Sequence, residues 1–155
     1  MQEISFGCTI IITTVIKLVI KIMIEHCTYI RHDNGIHEII LLTATRDAVD
    51  CYTSIVGPLF LSKPDDETLR YMLNATECKE LPPLRYFIQQ SADYKKQHPQ
   101  IGPGRLAILY YRNGFWLIVS SVINMINALY KTELVLCMFE ASEREKAIEW
   151  LLRDD

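Results

Sequence analysis

The sequence has no excess of positive charge. Its 155 residues carry 16 Lys and Arg against 19 Asp and Glu, which gives a formal net charge of -3 and a pI near 5.8. Proteins that hold nucleic acid gain much of their affinity by neutralising phosphates with basic side chains. We therefore expect no nucleic-acid partner.

The five cysteines include no C-x-x-C pair, and their odd number leaves at least one thiol unpaired within the chain. Such spacing is typical of reduced, mostly buried thiols. It predicts a cytoplasmic protein. The cysteines are Cys8, Cys27, Cys51, Cys78 and Cys137.

No catalytic, metal-binding or cofactor-binding motif rises above background. His32, Asp33 and His37 lie close together in the sequence, but they lack a third convincing ligand and are typical of a solvated turn. The glycine-rich residues 102–104 precede a predicted strand, whereas a phosphate-binding loop links a strand to a helix. The expectation is no metal site, no cofactor and no enzymatic activity.

Residues 6–24 form an apolar run of 19 residues that carries only two charges, Lys17 and Lys21. Its length approaches that of a membrane-spanning helix, but lysines near a helix centre oppose insertion. In a helix the two lysines would share one face, which fits a helix on the membrane surface equally well. Three interpretations of residues 1–24 stay open: a membrane-contacting helix, an element docked on the domain, or a misassigned extension before a start at Met23.

Strand and helix signals alternate through residues 25–155, which we interpret as one domain. Two β-rich runs at residues 27–32 and 36–42 flank Asn34-Gly35, which predicts an antiparallel hairpin. Thr45 is the expected N-cap of a helix that Gly57-Pro58 interrupts after a short run. Strands are predicted at residues 69–74, 106–111 and 132–139, and a helix is predicted from Pro82-Pro83 to just before Pro99.

The segment after the fourth predicted strand carries conflicting signals. Residues 112–114 read Arg-Asn-Gly before the β-prone residues 115–119, which is typical of a second hairpin. Ser121, Asn124 and Asn127, however, recur at helical spacing in an apolar segment, and they favour a helix at residues 115–130. This helix contains no charged residue. Because a surface helix usually has charges opposite its apolar stripe, we expect complete burial or an interaction surface.

The final helix has the clearest signals. Ser142 and Glu145 have the spacing of a capping box, and Ala147, Ile148 and Leu151 form the expected buried stripe. With the preceding elements this predicts a single α/β domain of five strands and about four helices.

Residues 106–110, 134–139 and 143–152 resemble the closing half of SpoIIAA-like proteins of the STAS superfamily, named for sulfate transporters and anti-sigma factor antagonists. The resemblance extends over about residues 24–153 and includes an A-x-x-W-L helix motif at Ala147-Ile148-Glu149-Trp150-Leu151. It implies a mixed five-stranded sheet that opens with an antiparallel hairpin, helices mainly on one side, and a non-enzymatic role. SpoIIAA-like proteins also resemble lipid-binding Sec14-type domains, whose mobile middle helices are thought to gate a cavity or touch membrane.

The chain departs from the anti-sigma antagonists after its third strand. Those proteins carry an Asp-Ser/Thr-x-Gly motif whose hydroxyl is phosphorylated at a helix N-terminus. Here the strand runs into Asn74-Ala75-Thr76-Glu77-Cys78, without that aspartate, serine or glycine. Thr76 is the residue left as a candidate phosphorylation site.

The surface around residues 86–94 and 115–130 is the candidate site for an apolar small molecule, a lipid or a protein partner. A cavity there without convergent titratable groups would favour such a binding or regulatory module, and a tight cluster of His, Cys or Asp would favour a small enzyme. A contiguous apolar patch without a cavity would favour a homodimeric interaction protein. The candidate residues are Tyr86, Phe87, Tyr94, Phe115, Trp116, Val119, Ile123, Ile126 and Tyr130.

Overall fold

The computed structural model describes residues 25–78, 80–99, 102–111, 119–121, 123 and 134–153. They form the predicted α/β domain with a five-stranded mixed sheet. The elements are β1 (Cys27–Arg31), β2 (His37–Leu41), α1 (Arg46–Ser62), β3 (Leu69–Asn74), α2 (Leu84–Gln97), β4 (Gly104–Tyr110), β5 (Leu134–Glu140) and α3 (Arg144–Leu152). A fourth helical stretch lies between β4 and β5, where residues 119–121 and 123 are helical.

The hairpin between β1 and β2 forms as the Asn34-Gly35 pair predicts. Gly35 adopts a positive φ of 83°, a conformation that residues with a side chain rarely adopt. The side chain of Asn34 accepts a hydrogen bond from the Ile36 N–H at 3.2 Å. The turn sets an antiparallel register in which Cys27 pairs with Leu41.

The strands follow one another across the sheet in the order β1-β2-β3-β4-β5. Strands β2 to β5 are parallel. Right-handed connections between successive parallel strands leave the same face of the sheet when the order never reverses. Helices α1 and α2 and the helical residues Val119 and Ile123 accordingly share one face, and α3 packs on the other.

Alternating side chains of the strands build two cores. The core on the face of α1 and α2 is the larger, and its buried members include Ile39, Tyr52, Tyr71, Leu106 and Val119. The core beneath α3 consists of Ile36, Met72, Ala107, Leu109, Ala147 and Leu151. We refer to these sides of the sheet as the α1–α2 face and the α3 face.

Helix α1 is longer than the sequence predicts, because it continues through Gly57-Pro58 to Ser62. A proline within a helix removes one hydrogen bond to the carbonyl four residues earlier. Here that carbonyl belongs to Ser54, and both Ser54 and Pro58 are exposed, so water can satisfy the oxygen. The start of the helix is as expected, since the Thr45 hydroxyl accepts from the Ala48 N–H.

The predicted capping box at Ser142 is wrong. Residues Ala141–Glu143 form a 3-10 turn, and the reciprocal capping contacts join Glu140 and Glu143 instead. Helix α3 therefore begins at Arg144, two residues later than Ser142. Its buried side chains are Ala147 and Leu151, as the apolar stripe predicts.

The expectation that all cysteines are reduced is also wrong. Cys27 on β1 and Cys51 on α1 form a disulfide, with their Cα atoms 6.3 Å apart. The two residues meet because α1 packs over the face on which Cys27 is buried. Cys78 and Cys137 carry free thiols, and burial raises the pKa of both.

The conflicting signals after β4 are resolved at the described residues 119–121 and 123, which are helical as predicted. Strand β4 pairs with β3 on one side and with β5 on the other, so it has no free edge for the hairpin partner that residues 115–119 would have supplied. The rest of the helix predicted at residues 115–130 lies outside the described residues. Residues 1–24 lie outside them as well, and within the part of the chain that is described no helix has the length and apolarity to cross a membrane.

Candidate functional site

A cavity with mostly apolar walls lies on the α1–α2 face, between α1, α2 and the sheet. Its volume is about 140 Å³. Strands β4 and β5 line the cavity with residues from their first halves, Leu106, Leu134 and Leu136. The cavity therefore lies toward the amino ends of the parallel strands. It is lined by Tyr52, Thr53, Val56, Gly57, Phe60, Tyr71, Phe87, Ile88, Ser91, Tyr94, Lys95, Gly102, Leu106, Leu134 and Leu136.

Two glycines allow aromatic rings to form the cavity walls. A Cβ on Gly57 would lie 2.8 Å from the ring of Tyr94, and a Cβ on Gly104 would lie 2.8 Å from the ring of Phe60. Because both glycines lack that atom, the rings pack directly against the backbone of α1 and β4. The Tyr94 hydroxyl also donates a 2.7 Å hydrogen bond to the Gly57 carbonyl, which fixes α2 against α1.

The cavity walls are mostly aliphatic and aromatic. Further ring contacts tie them together: Phe60 meets Tyr71 edge-on at 5.8 Å, and Tyr52 lies 5.1 Å from Phe87. Among the described lining residues there is one charged side chain, Lys95, and no His, Cys, Asp or Glu. The site can therefore bury an apolar molecule, but these residues supply no acid–base pair.

The structure brings two of the predicted surface residues, Phe87 and Tyr94, into the cavity wall. Tyr86 lies elsewhere on α2, where its hydroxyl donates to Asp50. Val119 and Ile123 are buried in the core of the α1–α2 face. The remaining candidates lie outside the described residues, and they are Phe115, Trp116, Ile126 and Tyr130.

Thr76, the candidate phosphorylation site, is half-buried in a turn after β3. Its hydroxyl donates to the side chain of Asn74 at 2.7 Å. The next described helix, α2, begins only at Leu84, so Thr76 does not occupy a helix N-terminus. The geometry therefore lacks the helix N-terminal position that the phosphorylation motif of the anti-sigma antagonists uses.

A polar cluster centred on Glu38 lies on the opposite, α3 face. Glu38 is 1% exposed and accepts a bidentate pair of hydrogen bonds from Arg144, at 2.7 and 2.6 Å. Asn74 donates to the same carboxylate at 2.9 Å, and His32 lies 2.8 Å from its second oxygen. Each carboxylate oxygen of Glu38 thus has two polar neighbours.

The hydrogen bonds of the cluster determine the ionisation of Glu38. Burial alone would raise the pKa of its carboxyl, but the bonds from Arg144, Asn74 and His32 outweigh burial and lower the pKa to about 2. The carboxylate is therefore ionised at neutral pH, and it joins β2 to the start of α3. A saturated carboxylate of this kind holds the fold together and has no acceptor left for a ligand.

The two histidines of the hairpin, His32 and His37, are engaged in hydrogen bonds with protein side chains. His32 pairs with Glu38, and the Nδ1 atom of His37 is hydrogen-bonded to the Tyr29 hydroxyl at 2.7 Å while the two rings stack. Asp33 is exposed in the turn. In the described part of the chain, no group of three or more His, Cys, Asp or Glu side chains could hold a metal ion.

Sequence reasoning missed Tyr52, Tyr71 and Glu38 as parts of a site. Tyr52 lies among apolar residues at helical spacing in α1, and Tyr71 lies in β3 beside the apolar Met72 and Leu73. A polar group within an apolar stretch of sequence could have pointed to these residues, because a buried polar group needs a hydrogen-bond partner. Glu38, inside the β-rich run at residues 36–42, is an example.

No protein-family model matches the chain, and neither a curated protein nor a solved structure matches it significantly.

Proposed function

We propose that this chain is a non-catalytic binding or regulatory module that holds an apolar small molecule, or the apolar part of a lipid, in the cavity between α1, α2 and the sheet. The observation that carries the proposal is the cavity of about 140 Å³ with mostly apolar walls. The walls of an empty apolar cavity lack the dispersion contacts that a filled one makes. An apolar occupant would supply those contacts, and its own apolar surface would be removed from water.

The chemistry of the lining favours binding over catalysis. An active site needs convergent titratable groups in hydrogen-bonding reach of one another. The described lining offers Lys95 and tyrosines, without a carboxylate, imidazole or thiol beside them.

The size of the cavity limits what it can enclose. An engineered apolar cavity of about 150 Å³ in another protein binds benzene, whereas pockets for drug-sized ligands occupy about 300–1,000 Å³. The cavity of this chain, at about 140 Å³, is close in volume to the engineered cavity that binds benzene. The occupant, or the part of it that is enclosed, is therefore about one aromatic ring or a short alkyl segment.

The resemblance to SpoIIAA-like proteins stays part of this proposal. Its support is the topology: a mixed five-stranded sheet, an opening antiparallel hairpin, and helices mainly on one face. A cavity beneath the middle helix α2 also agrees with the cavity that the resemblance implies. Phosphorylation at Thr76 has no comparable support, since its hydroxyl is bonded to Asn74 away from any described helix start.

The homodimer hypothesis has less support than the cavity. The large apolar side chains that are exposed in the described residues are spread over four elements and the residue after β4, and only Tyr29 and Ile30 share an element, β1. They are Tyr29, Ile30, Leu61, Tyr111, Val135 and Leu152.

Calorimetric titration with toluene tests the proposal, because toluene matches the size of the cavity and has no polar group. The wild-type chain should bind one toluene per cavity in the millimolar range or tighter. Val56→Phe places a ring in the cavity from α1 and should abolish binding. Absence of toluene binding by the wild type would contradict the proposal.

Val135→Phe is the matched control. It makes the same change at a position that is 49% exposed on β5, outside the lining of the cavity, and should bind toluene like the wild type. Ser91→Phe, at the exposed rim of the cavity, provides a second blocking variant if Val56→Phe does not fold. Equal toluene affinity in the blocking and control variants would also refute the assignment of the site.

A further inference from the structure

Two lysines lie at one end of the apolar cavity, where α1 and α2 finish. Lys95 is in the last turn of α2 and contributes to the cavity lining. Lys63 directly follows α1, and its ammonium packs against Gly102, another lining residue. A Cβ added to Gly102 would lie 2.6 Å from the Nζ atom of Lys63. This end of the cavity therefore combines apolar walls with positive charge.

Lys95 is placed to reach the opening of the cavity. Ser91, one helical turn earlier on the same side of α2, also lines the cavity and is exposed, so this side of the helix borders on solvent. Lys95 itself is half-buried, as expected for a lysine whose aliphatic stem packs on an apolar wall while its ammonium stays in water. Because an ammonium has three donors, Lys95 can bond a ligand whichever protein group it also contacts.

Lys63 adds a second cation beside the same opening. Its Nζ atom donates to the Pro64 carbonyl at 3.1 Å, and this bond uses one of its three N–H groups. Asp65 approaches Gly102 with its backbone carbonyl. Among the described residues that line the cavity, no Asp or Glu side chain opposes the positive charge. An anionic group at the opening would therefore meet two cations and no carboxylate of the lining.

The number of charges favours a carboxylate as the anionic group. A phosphate monoester carries about −1.5 to −2 charges at pH 7, whereas a carboxylate carries a single charge. The described lining supplies one cation, Lys95, and a charge at an apolar wall is costly unless it is paired. A single negative charge matches this single lysine.

We infer that the occupant is a carboxylic acid of about one aromatic ring or a short alkyl segment, whose apolar part lies against Val56 and Leu106 and whose carboxylate pairs with Lys95 at the opening, beside Lys63. This inference rests on the proposed function, and it adds the chemical class of the ligand. The apolar part makes the dispersion contacts within the cavity. The carboxylate stays at the solvent side, so its desolvation is incomplete.

Benzoate and nitrobenzene test the inference, because they have the same shape and differ by one negative charge. The measured quantity is the ratio of benzoate affinity to nitrobenzene affinity at pH 7, where benzoate is ionised. In Lys95→Met this ratio should fall about fivefold, between the effect of an exposed ion pair and that of a buried charge-assisted hydrogen bond. Lys63→Met should lower the ratio in the same direction, and Lys95→Arg should preserve it because arginine keeps the charge.

Lys96→Met is the matched control. Lys96 is the next residue in the same last turn of α2, but it is exposed and lies outside the cavity lining. The helix dipole favours a cation at either position, and both variants lose the same net charge. Lys96→Met should therefore keep the affinity ratio of the wild type.

The outcomes separate the inference from the proposed function. If nitrobenzene binds the wild type but benzoate does not, the inference fails and the proposed function stands. The same holds if nitrobenzene binds and the ratio falls equally in Lys95→Met and Lys96→Met, or in neither. If neither ligand binds the wild type, both fail.

Intermolecular nuclear Overhauser effects measure the orientation of bound benzoate without a variant. The ring proton opposite the carboxylate should contact the methyls of Leu106, which is 1% exposed. The ring protons beside the carboxylate should contact the ε-methylene of Lys95. The reverse orientation would overturn the inference.

Discussion

Replacement of Glu38 by glutamine should destabilise the folded protein by about 3 kcal/mol at pH 7. The cluster lowers the pKa of this carboxyl from an ordinary value of 4.5 to about 2. At about 1.36 kcal/mol per pKa unit, the difference corresponds to about 3 kcal/mol. Removing one partner of a buried ion pair costs about 3–5 kcal/mol in other proteins, which agrees with this magnitude.

The effect of Glu38→Gln should depend on pH in a defined direction. Because the pKa of Glu38 is lower in the folded than in the unfolded protein, its stabilisation is fully present above about pH 5 and is lost as the pH falls toward 2. Wild type and variant should therefore differ most at pH 7 and converge near pH 2. The difference between the two proteins removes the contributions of other titrating groups.

Urea unfolding followed by circular dichroism between pH 2 and pH 7 measures both effects. Glu149→Gln is the matched control, since this carboxylate is exposed on α3 and its replacement should cost less than about 0.5 kcal/mol. A cost below about 1 kcal/mol for Glu38→Gln at pH 7, or a cost that does not change with pH, would refute the role assigned to the cluster.

Three further changes test the packing, the turn and the disulfide. Gly104→Ala should lower the free energy of unfolding by about 1–3 kcal/mol in urea, because its Cβ would lie 2.8 Å from the Phe60 ring; unchanged stability would contradict this packing. Gly35→Ala should cost about 1–2 kcal/mol through backbone conformation alone, since φ is 83° and no atom lies within 4 Å of the added Cβ; Gly35→Asn should recover part of the loss in thermal unfolding. Reducing the disulfide between Cys27 and Cys51, which are 24 residues apart, should cost about 3 kcal/mol, and Cys51→Ser should melt like the reduced protein if the bond is responsible.

The parts of the fold that depend on neighbouring residues could be predicted from the sequence. Asn34-Gly35 determines the hairpin turn. The Thr45 hydroxyl caps α1 by accepting a hydrogen bond from the N–H of Ala48, three residues later in the chain. The helical spacing of polar residues near Ser121 correctly outweighed the hairpin signal before it. In each case the relevant contacts lie within one turn of the chain.

The parts that depend on distant residues could not be predicted. Glu38 and Arg144 are 106 residues apart, and only the packing of α3 brings them together. The cavity likewise requires α1 and α2 to lie side by side, so the proximity of Tyr52 to Tyr71 leaves no local signal. The continuation of α1 through Pro58 depends on which side of the helix faces water, which local rules do not specify.

The central claim is that the cavity on the α1–α2 face takes an apolar molecule. Methyl NMR during a toluene titration tests it most directly, because the cavity and the α3 face both carry aliphatic residues. The account predicts saturable shifts for the cavity methyls of Val56, Ile88, Leu106, Leu134 and Leu136, and none for those of Ile36, Leu109 and Leu151. Absence of shifts in the first group, or equal shifts in both groups, would contradict it.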